Sequence, residues 1–256
     1  MRRGVQSVAI LALAIGQILT ARLMEALGIG EPVEVQTALV SHPLVPYRTA
    51  YLLWGLIYAY ALIAAIWQVL PRQKESVALE TVDWNVIVIW LIDSLWQMWV
   101  SAIGLEWVSF CLIFVAVFAG LNGLLKLRHE LNLTLKEKIL VAGPLALVTG
   151  WLTATCFVNF TSAMIWTGFG LDPQNTAVAV VFLLALIAFG ARMVWQTENS
   201  LYAAGLCWAL LWILVANQNR DHEPSMVILA AIGIAVVAGT RLYALWRKPH
   251  ALAGAE

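Results

Sequence analysis

Asp93 stands at the middle of a strongly apolar stretch, Trp84 to Ile103, which reads WNVIVIWLIDSLWQMWVSAI. An ionisable side chain at such a depth is costly in lipid, so it must face a protein interior and find a hydrogen-bonding partner. Trp90, Trp96 and Gln97 lie three or four residues from Asp93 and share its helical face. Indole faces beside a carboxyl and a carboxamide combine stacking area with a few orienting polar groups. That is the chemistry of a pocket for a flat apolar molecule. The same residues also suit a plainer arrangement, a carboxyl bonded to a neighbouring helix with tryptophans packed around it.

Other stretches repeat the pairing of aromatic and polar groups. Trp54 and Tyr58 are spaced by four, as are Trp151, Thr155 and Asn159, and Trp208 and Trp212. The chain carries 13 tryptophans. Interfacial belts account for Trp84, Trp107, Trp195 and Trp246 near segment ends, but not for Trp96, Trp151 or Trp208. Much else is missing. His42, His129, His222 and His250 all fall in connections or at the C-terminus, so no histidine is placed to ligate a haem iron at mid-membrane. No lysine lies within an apolar span to form a Schiff base, and no nucleotide-binding, zinc-protease or serine-hydrolase motif is present. Cys111, Cys156 and Cys207 lack metal-ligand spacing and read as small core residues. No metal site and no required cofactor are expected.

The elements that must position these residues are membrane helices. Of 256 residues, 62% are hydrophobic and 12% charged, which predicts an all-α, polytopic helical bundle. Eight spans are predicted: Val5 to about Leu23, Tyr51–Leu70, Trp84–Ile103, Trp107–Leu125, Ile139 to about Thr161, Ala177–Trp195, Leu201–Ala216 and Met226–Trp246. The first is expected to be retained rather than cleaved as a signal peptide, because it is long and no small-x-small site follows it. The connection from Glu25 to Arg48, with Gly28, Gly30, Pro32, Pro43 and Pro46, is long enough to cover one end of a pocket. Gly143-Pro144 predicts a kink near the start of the fifth span. Gly120, Gly123, Gly233 and Gly239 suit close helix contacts. The tract Asn217 to Glu223 reads as a solvated loop, or else as part of a pocket lid or a partner contact.

Basic residues divide unequally between the two sides. One side holds Arg2, Arg3, Arg72, Lys74, Lys126, Arg128, Lys136, Lys138, Arg192, Arg241, Arg247 and Lys248; the other holds only Arg22, Arg48 and Arg220. This predicts both termini in the cytoplasm; a bacterial inner membrane is the expected location. Reporter fusions after Leu125 and Glu256 should therefore both read cytoplasmic, and a periplasmic signal from the second would remove one helix. The aromatic residues then concentrate towards the outer leaflet. Fifteen basic residues balance fifteen acidic ones, which gives no case for nucleic acid as a partner.

Three segments resemble those of one family. Pro46 to Tyr58, PYRTAYLLWGLIY, is similar to the P-x-x-x-x-F-x-x-W-x-x-L/I-Y signature of the TspO/MBR family, the tryptophan-rich sensory proteins related to the translocator protein. Asp93-Ser-Leu-Trp96 stands where that family has N-x-x-W. Pro144, followed by Trp151 to Asn159, resembles its proline-to-asparagine run on the fifth helix. The W-Y-x-x-L-x-K-P segment of the first loop is absent, Asp93 replaces an asparagine, and the interval from Pro144 to Trp151 is longer than usual. The resemblance implies a five-helix core over residues 1–165 and three further helices over 166–256. It implies a pocket closed by the first loop, binding tetrapyrrole-like or sterol-like molecules. Carried onto this chain, its ligand-binding residues are Trp54, Tyr58, Asp93, Trp96, Trp151, Thr155 and Asn159. The one reaction it implies is light-dependent porphyrin breakdown; with no histidine placed at mid-membrane, a bound porphyrin would be free-base or ligated in some less usual way.

Three functions follow from these readings. The first is a membrane-embedded sensor or carrier for tetrapyrrole-like or sterol-like ligands, with membrane lipid and the ligand as partners and no dedicated catalytic residue. The second is a proton-coupled transporter using Asp93, although the two halves show no internal repeat. The third is a structural or assembly subunit, as a homodimer or within a larger membrane complex.

Overall fold

The computed structural model describes residues 2–73, 76–129 and 133–253, with backbone alone at residues 2, 3, 21, 25 and 248–253. Lys74 lies outside the described residues, as do the side chains of Arg2, Arg3, Glu25, Lys248 and His250. The chain is all-α: α1 (Arg2–Leu27), α2 (Val33–Leu39), α3 (Leu52–Gln68), α4 (Val77–Ala102), α5 (Trp107–His129), the single turn α6 (Leu135–Glu137), α7 (Gly143–Thr167), α8 (Thr176–Thr197), α9 (Ser200–Ala216) and α10 (Pro224–Ala253). Among the described residues, eight helical stretches are long and apolar enough to cross a membrane.

Helix ends are set by local chemistry that hydropathy does not show. α4 begins well ahead of Trp84 because Ser76 caps it, its hydroxyl accepting from Leu79 N–H at 3.4 Å, with Glu80 in the first turn. α1 runs through Glu25 and ends against Gly28, whose φ of +62° a side chain would resist. The connection is therefore shorter than predicted, and it contains α2. Before α7 the chain makes a π-helical turn, Lys138–Ala142, and Pro144 enters in the first turn of the α-helix. Proline has no N–H to give to that turn, and the Tyr60 hydroxyl donates to the Ile139 carbonyl there. The irregularity expected at Pro144 is thus a π turn held by a side chain of α3.

The chain is organised about α7. From Val141 to Met164 only Phe157 and Phe160 are partly exposed. α7 packs between α5 and α9, with lesser contacts to α3 and α8. α4 joins α5 to α1, and α10 lies against α8 and α9. Close approach depends on small residues, as is usual where lipid gives helices no hydrophobic drive to associate. Gly120 fits against Thr149, Gly123 against Leu145 and Asn85, and Gly233 against Ile187. Among the described residues Gly239 has nothing within 4 Å and serves no such contact. A crossing of helix backbones was not foreseen: a Cβ on Gly150 would sit 2.2 Å from the Tyr202 carbonyl oxygen, and one on Gly205 2.6 Å from that of Leu147.

Candidate functional site

A cavity of about 410 Å³ opens between the end of α1, the first loop, the start of α3 and the end of α4. Arg22 and Met24 line it from α1, and residues 29–34 from the loop and the start of α2. Tyr51, Trp54 and Tyr58 line it from the 3₁₀ turn Arg48–Tyr51 and α3, and Trp96, Gln97 and Ser101 from α4. Gly30 makes the covering possible. With φ at +72°, it lies where a Cβ would be 1.8 Å from the Ser101 carbonyl oxygen, so only glycine lets the loop rest on the end of α4. Glu31 N–H donates to that carbonyl at 2.9 Å, and Gln36 Nε2 adds a bond at 3.4 Å. A backbone acceptor that the helix end leaves unpaired is thereby satisfied.

The inner wall is aromatic and ordered by hydrogen bonds. Trp54 stacks on Tyr58 with centroids 5.4 Å apart and faces Trp96 at 6.5 Å. Trp151 stands edge-on behind Trp54 at 6.3 Å and behind Tyr51 at 6.2 Å. Asp93 is 1% exposed. Its Oδ2 accepts from the Tyr58 hydroxyl at 3.3 Å and from Gln97 Nε2 at 2.9 Å, while Oδ1 has no partner among the described residues. The carboxyl thus fixes two groups of the wall, as its expected place in a bundle interior requires.

The seven residues named from sequence fall into two layers. Trp54, Tyr58 and Trp96 line the cavity, with Asp93 directly behind Tyr58 and Gln97. Trp151, Thr155 and Asn159 share a face of α7, as their spacing predicts, but that face forms the rear of the wall. Asn159 Oδ1 accepts the Trp96 indole N–H at 2.9 Å, and Asn159 Nδ2 donates to the Thr155 carbonyl. Thr155 in turn donates its hydroxyl to the Trp151 carbonyl. Trp151 is 1% exposed and lines a narrow cleft with Thr155, Pro46 and Tyr51. Trp90 faces a separate small cavity with Ile10, Asp83 and Pro144. Sequence reasoning missed Arg22, Glu31, Glu34, Tyr51 and Ser101 as lining residues. The signal for the two glutamates was present, since they lie in the connection expected to cover the pocket.

The loop is pinned at its far end by the last helices. His42, 2% exposed, lies against α7: Leu44 N–H donates to its Nδ1 at 3.2 Å, so Nε2 carries the proton. Nε2 faces Ser162 Oγ at 3.2 Å and Thr161 Oγ1 at 3.1 Å. Burial, reinforced by the Arg220 charge, lowers the pKa of this imidazole to about 3. Asn217 Nδ2 donates to the Pro43 carbonyl at 2.7 Å, and Arg220 Nη2 to the carbonyls of His42 and Val45 at 3.3 and 3.1 Å. Trp212 stacks on Tyr47 at 6.4 Å, and the Trp208 indole donates to the Ala50 carbonyl at 2.9 Å. The start of the tract Asn217 to Glu223 is therefore no loop: Gln218, Asn219 and Arg220 are exposed, as a solvated tract predicts, but Asn217 is buried. The segment forms a π turn, Asn217–Asp221, that extends α9 and clamps the cover of the cavity.

A family model described as TSPO-like protein matches residues 6–243. The match runs into α10, well past residue 165, where the motif resemblance stops. No curated protein and no solved structure matches the chain.

Proposed function

We propose that this chain, which belongs to the TSPO-like family and is an integral membrane protein of the ligand-binding or transport kind, binds a flat apolar molecule in the covered cavity. Tetrapyrrole-like and sterol-like molecules are the classes that suit it, and the role is that of a sensor or carrier. The observation that carries this reading is the cavity of about 410 Å³ walled by Trp54, Tyr58 and Trp96. Its size falls in the ordinary range for small-molecule sites, and a few polar groups stand among aromatic faces. The stacked indoles would hold a ring system by its faces. Asp93 acts from behind, holding Tyr58 and Gln97 in place.

Trp54→Leu is the direct test. Trp54 is partly exposed on the cavity, and among the described residues the change breaks no side-chain hydrogen bond, so the fold should survive. A free-base tetrapyrrole titrated into the full chain in lipid nanodiscs should quench tryptophan emission. The variant should bind several-fold more weakly, for a loss of about 1 kcal/mol. Equal affinity in the two proteins would remove Trp54 from the binding wall and the proposal with it.

A further inference from the structure

α5 leaves from beside the end of α4 that lines the cavity, so its last turn lies at the opposite end of the bundle. There it meets the end of α8, the α8–α9 turn and the last turns of α10. Arg128 of α5 donates to the Gln196 carbonyl and pairs with Glu198 at 2.7 Å. Arg247 of α10 reaches the same Glu198 oxygen at 2.5 Å and lies over the Trp195 ring at 4.2 Å. Arg241 donates through Nε to Ser200 Oγ at 2.8 Å, and Arg192 is exposed one turn before Trp195. We infer that this cluster is a binding site for the headgroup of an anionic phospholipid, separate from the covered cavity.

The charges do not balance within the chain. α5, α8, α9 and α10 contain no aspartate or glutamate, so the elements that form the cluster contribute one carboxylate, Glu198, against these four arginines. That carboxylate is committed to Arg128 and Arg247. Arg241 is half-buried, and neither of its terminal nitrogens has an acceptor among the described residues. Nη1 is closed to water, and Nη2 is left for a partner from outside the chain. A guanidinium so placed is costly without an anion. The surface beside it suits acyl chains, since Leu242, Tyr243, Leu245 and Trp246 are all exposed on α10. Tyr243 stacks on Trp195 at 5.9 Å and meets Trp246 at 5.9 Å, an aromatic group of the kind that anchors at headgroup level. An acidic lipid therefore finds guanidiniums for its phosphate and an apolar surface for its tails, as in other basic recesses between membrane helices. A zwitterionic lipid brings the same phosphate with a cation attached, which the uncompensated arginines repel.

The test is native mass spectrometry of the full chain, released from nanodiscs made of equal parts phosphatidylglycerol and phosphatidylcholine. The wild type should retain about tenfold more phosphatidylglycerol than phosphatidylcholine. Arg241→Gln should lower that preference about fivefold, the factor that one cation near the membrane surface contributes, and Arg241→Lys should keep most of it. Arg72→Gln removes an exposed cation that lies after α3, outside the cluster, and should leave the preference unchanged. Melting in phosphatidylcholine checks that Arg241→Gln is folded; if it is not, Arg192→Gln takes its place, at an exposed position and with the same expected loss. Equal retention of the two lipids by the wild type overturns the inference. So does an equal loss in Arg72→Gln, which would assign the preference to surface charge at large. Inorganic phosphate added before release should displace no phosphatidylglycerol; displacement would give the site to a free anion and overturn the lipid as its occupant.

Discussion

Gly150→Ala should be among the most damaging single-methyl changes available in this protein. The added Cβ would stand 2.2 Å from the Tyr202 carbonyl oxygen and 2.9 Å from its carbon. Both atoms are backbone, so no side chain can turn aside and α9 must move off α7. The expected loss is about 3 kcal/mol, at the upper end of what overpacking a membrane or soluble core costs. The damage should also reach the cavity. α9 carries Trp208 and Trp212, which hold Ala50 and Tyr47, and the π turn beyond it holds His42 and Pro43. Separation of α7 from α9 would free the cover at its clamped end and weaken ligand binding together with stability. Gly239→Ala is the matched control, because among the described residues nothing lies within 4 Å of that position and alanine is the better helix former. The measurement is thermal melting of both variants in the same detergent. A Gly150→Ala melt within a degree of the wild type would show that the crossing is not what holds the two halves together.

That crossing was invisible in the sequence, and the reason is general to the chain. Hydropathy and spacing read what each segment does along its own axis. They gave eight spans, the helical face shared by Asp93, Trp96 and Gln97, and the face shared by Trp151, Thr155 and Asn159. They could not say which face meets which. Four glycines were read as contact residues because they sit in apolar spans, yet Gly239 faces open space while Gly150 and Gly205 meet backbone. The start of α4 was misplaced for a different reason. Glu80 and Asp83 interrupt the apolar run, and only the Ser76 cap shows that the helix already exists there.

The site was legible to a similar depth. Three aromatic residues of the cavity wall were named because aromatic and polar residues recur at helical spacing on α3 and α4. Trp151 belongs to the same pattern but stands one layer back, where its ring supports Trp54 and Tyr51. Substituting it would therefore test packing as much as binding, which is why Trp54 is the better probe. The clamp on the loop joins residues 174 to 178 positions apart in the chain, such as Asn217 with Pro43 and Arg220 with His42. A polar tract between two apolar spans looks solvated until the loop that it meets is known.

His42 gives that clamp a dependence on pH whose sign is fixed by its burial. In the folded protein the imidazole pKa is lowered to about 3, against an ordinary value of 6.5 when the loop is released. Between those values the released form takes up a proton that the folded form refuses, so stability rises with pH through this window. The contribution is complete above pH 6.5 and is lost as pH falls towards 3, at a limiting slope of about 1.4 kcal/mol per pH unit. The physical cause is plain: Nδ1 already accepts from Leu44 N–H, and a second ring proton would face that donor beside the Arg220 charge. Melting temperatures at pH 7.5 and 5.5 test this above the range where most carboxylates titrate. The wild type should melt lower at pH 5.5. His42→Gln can keep a donor towards Ser162 and Thr161 but has no proton to gain, so its two melts should lie closer together. If the variant shows the same acid shift as the wild type, the acid sensitivity belongs to other groups and His42 is a passive part of the cover.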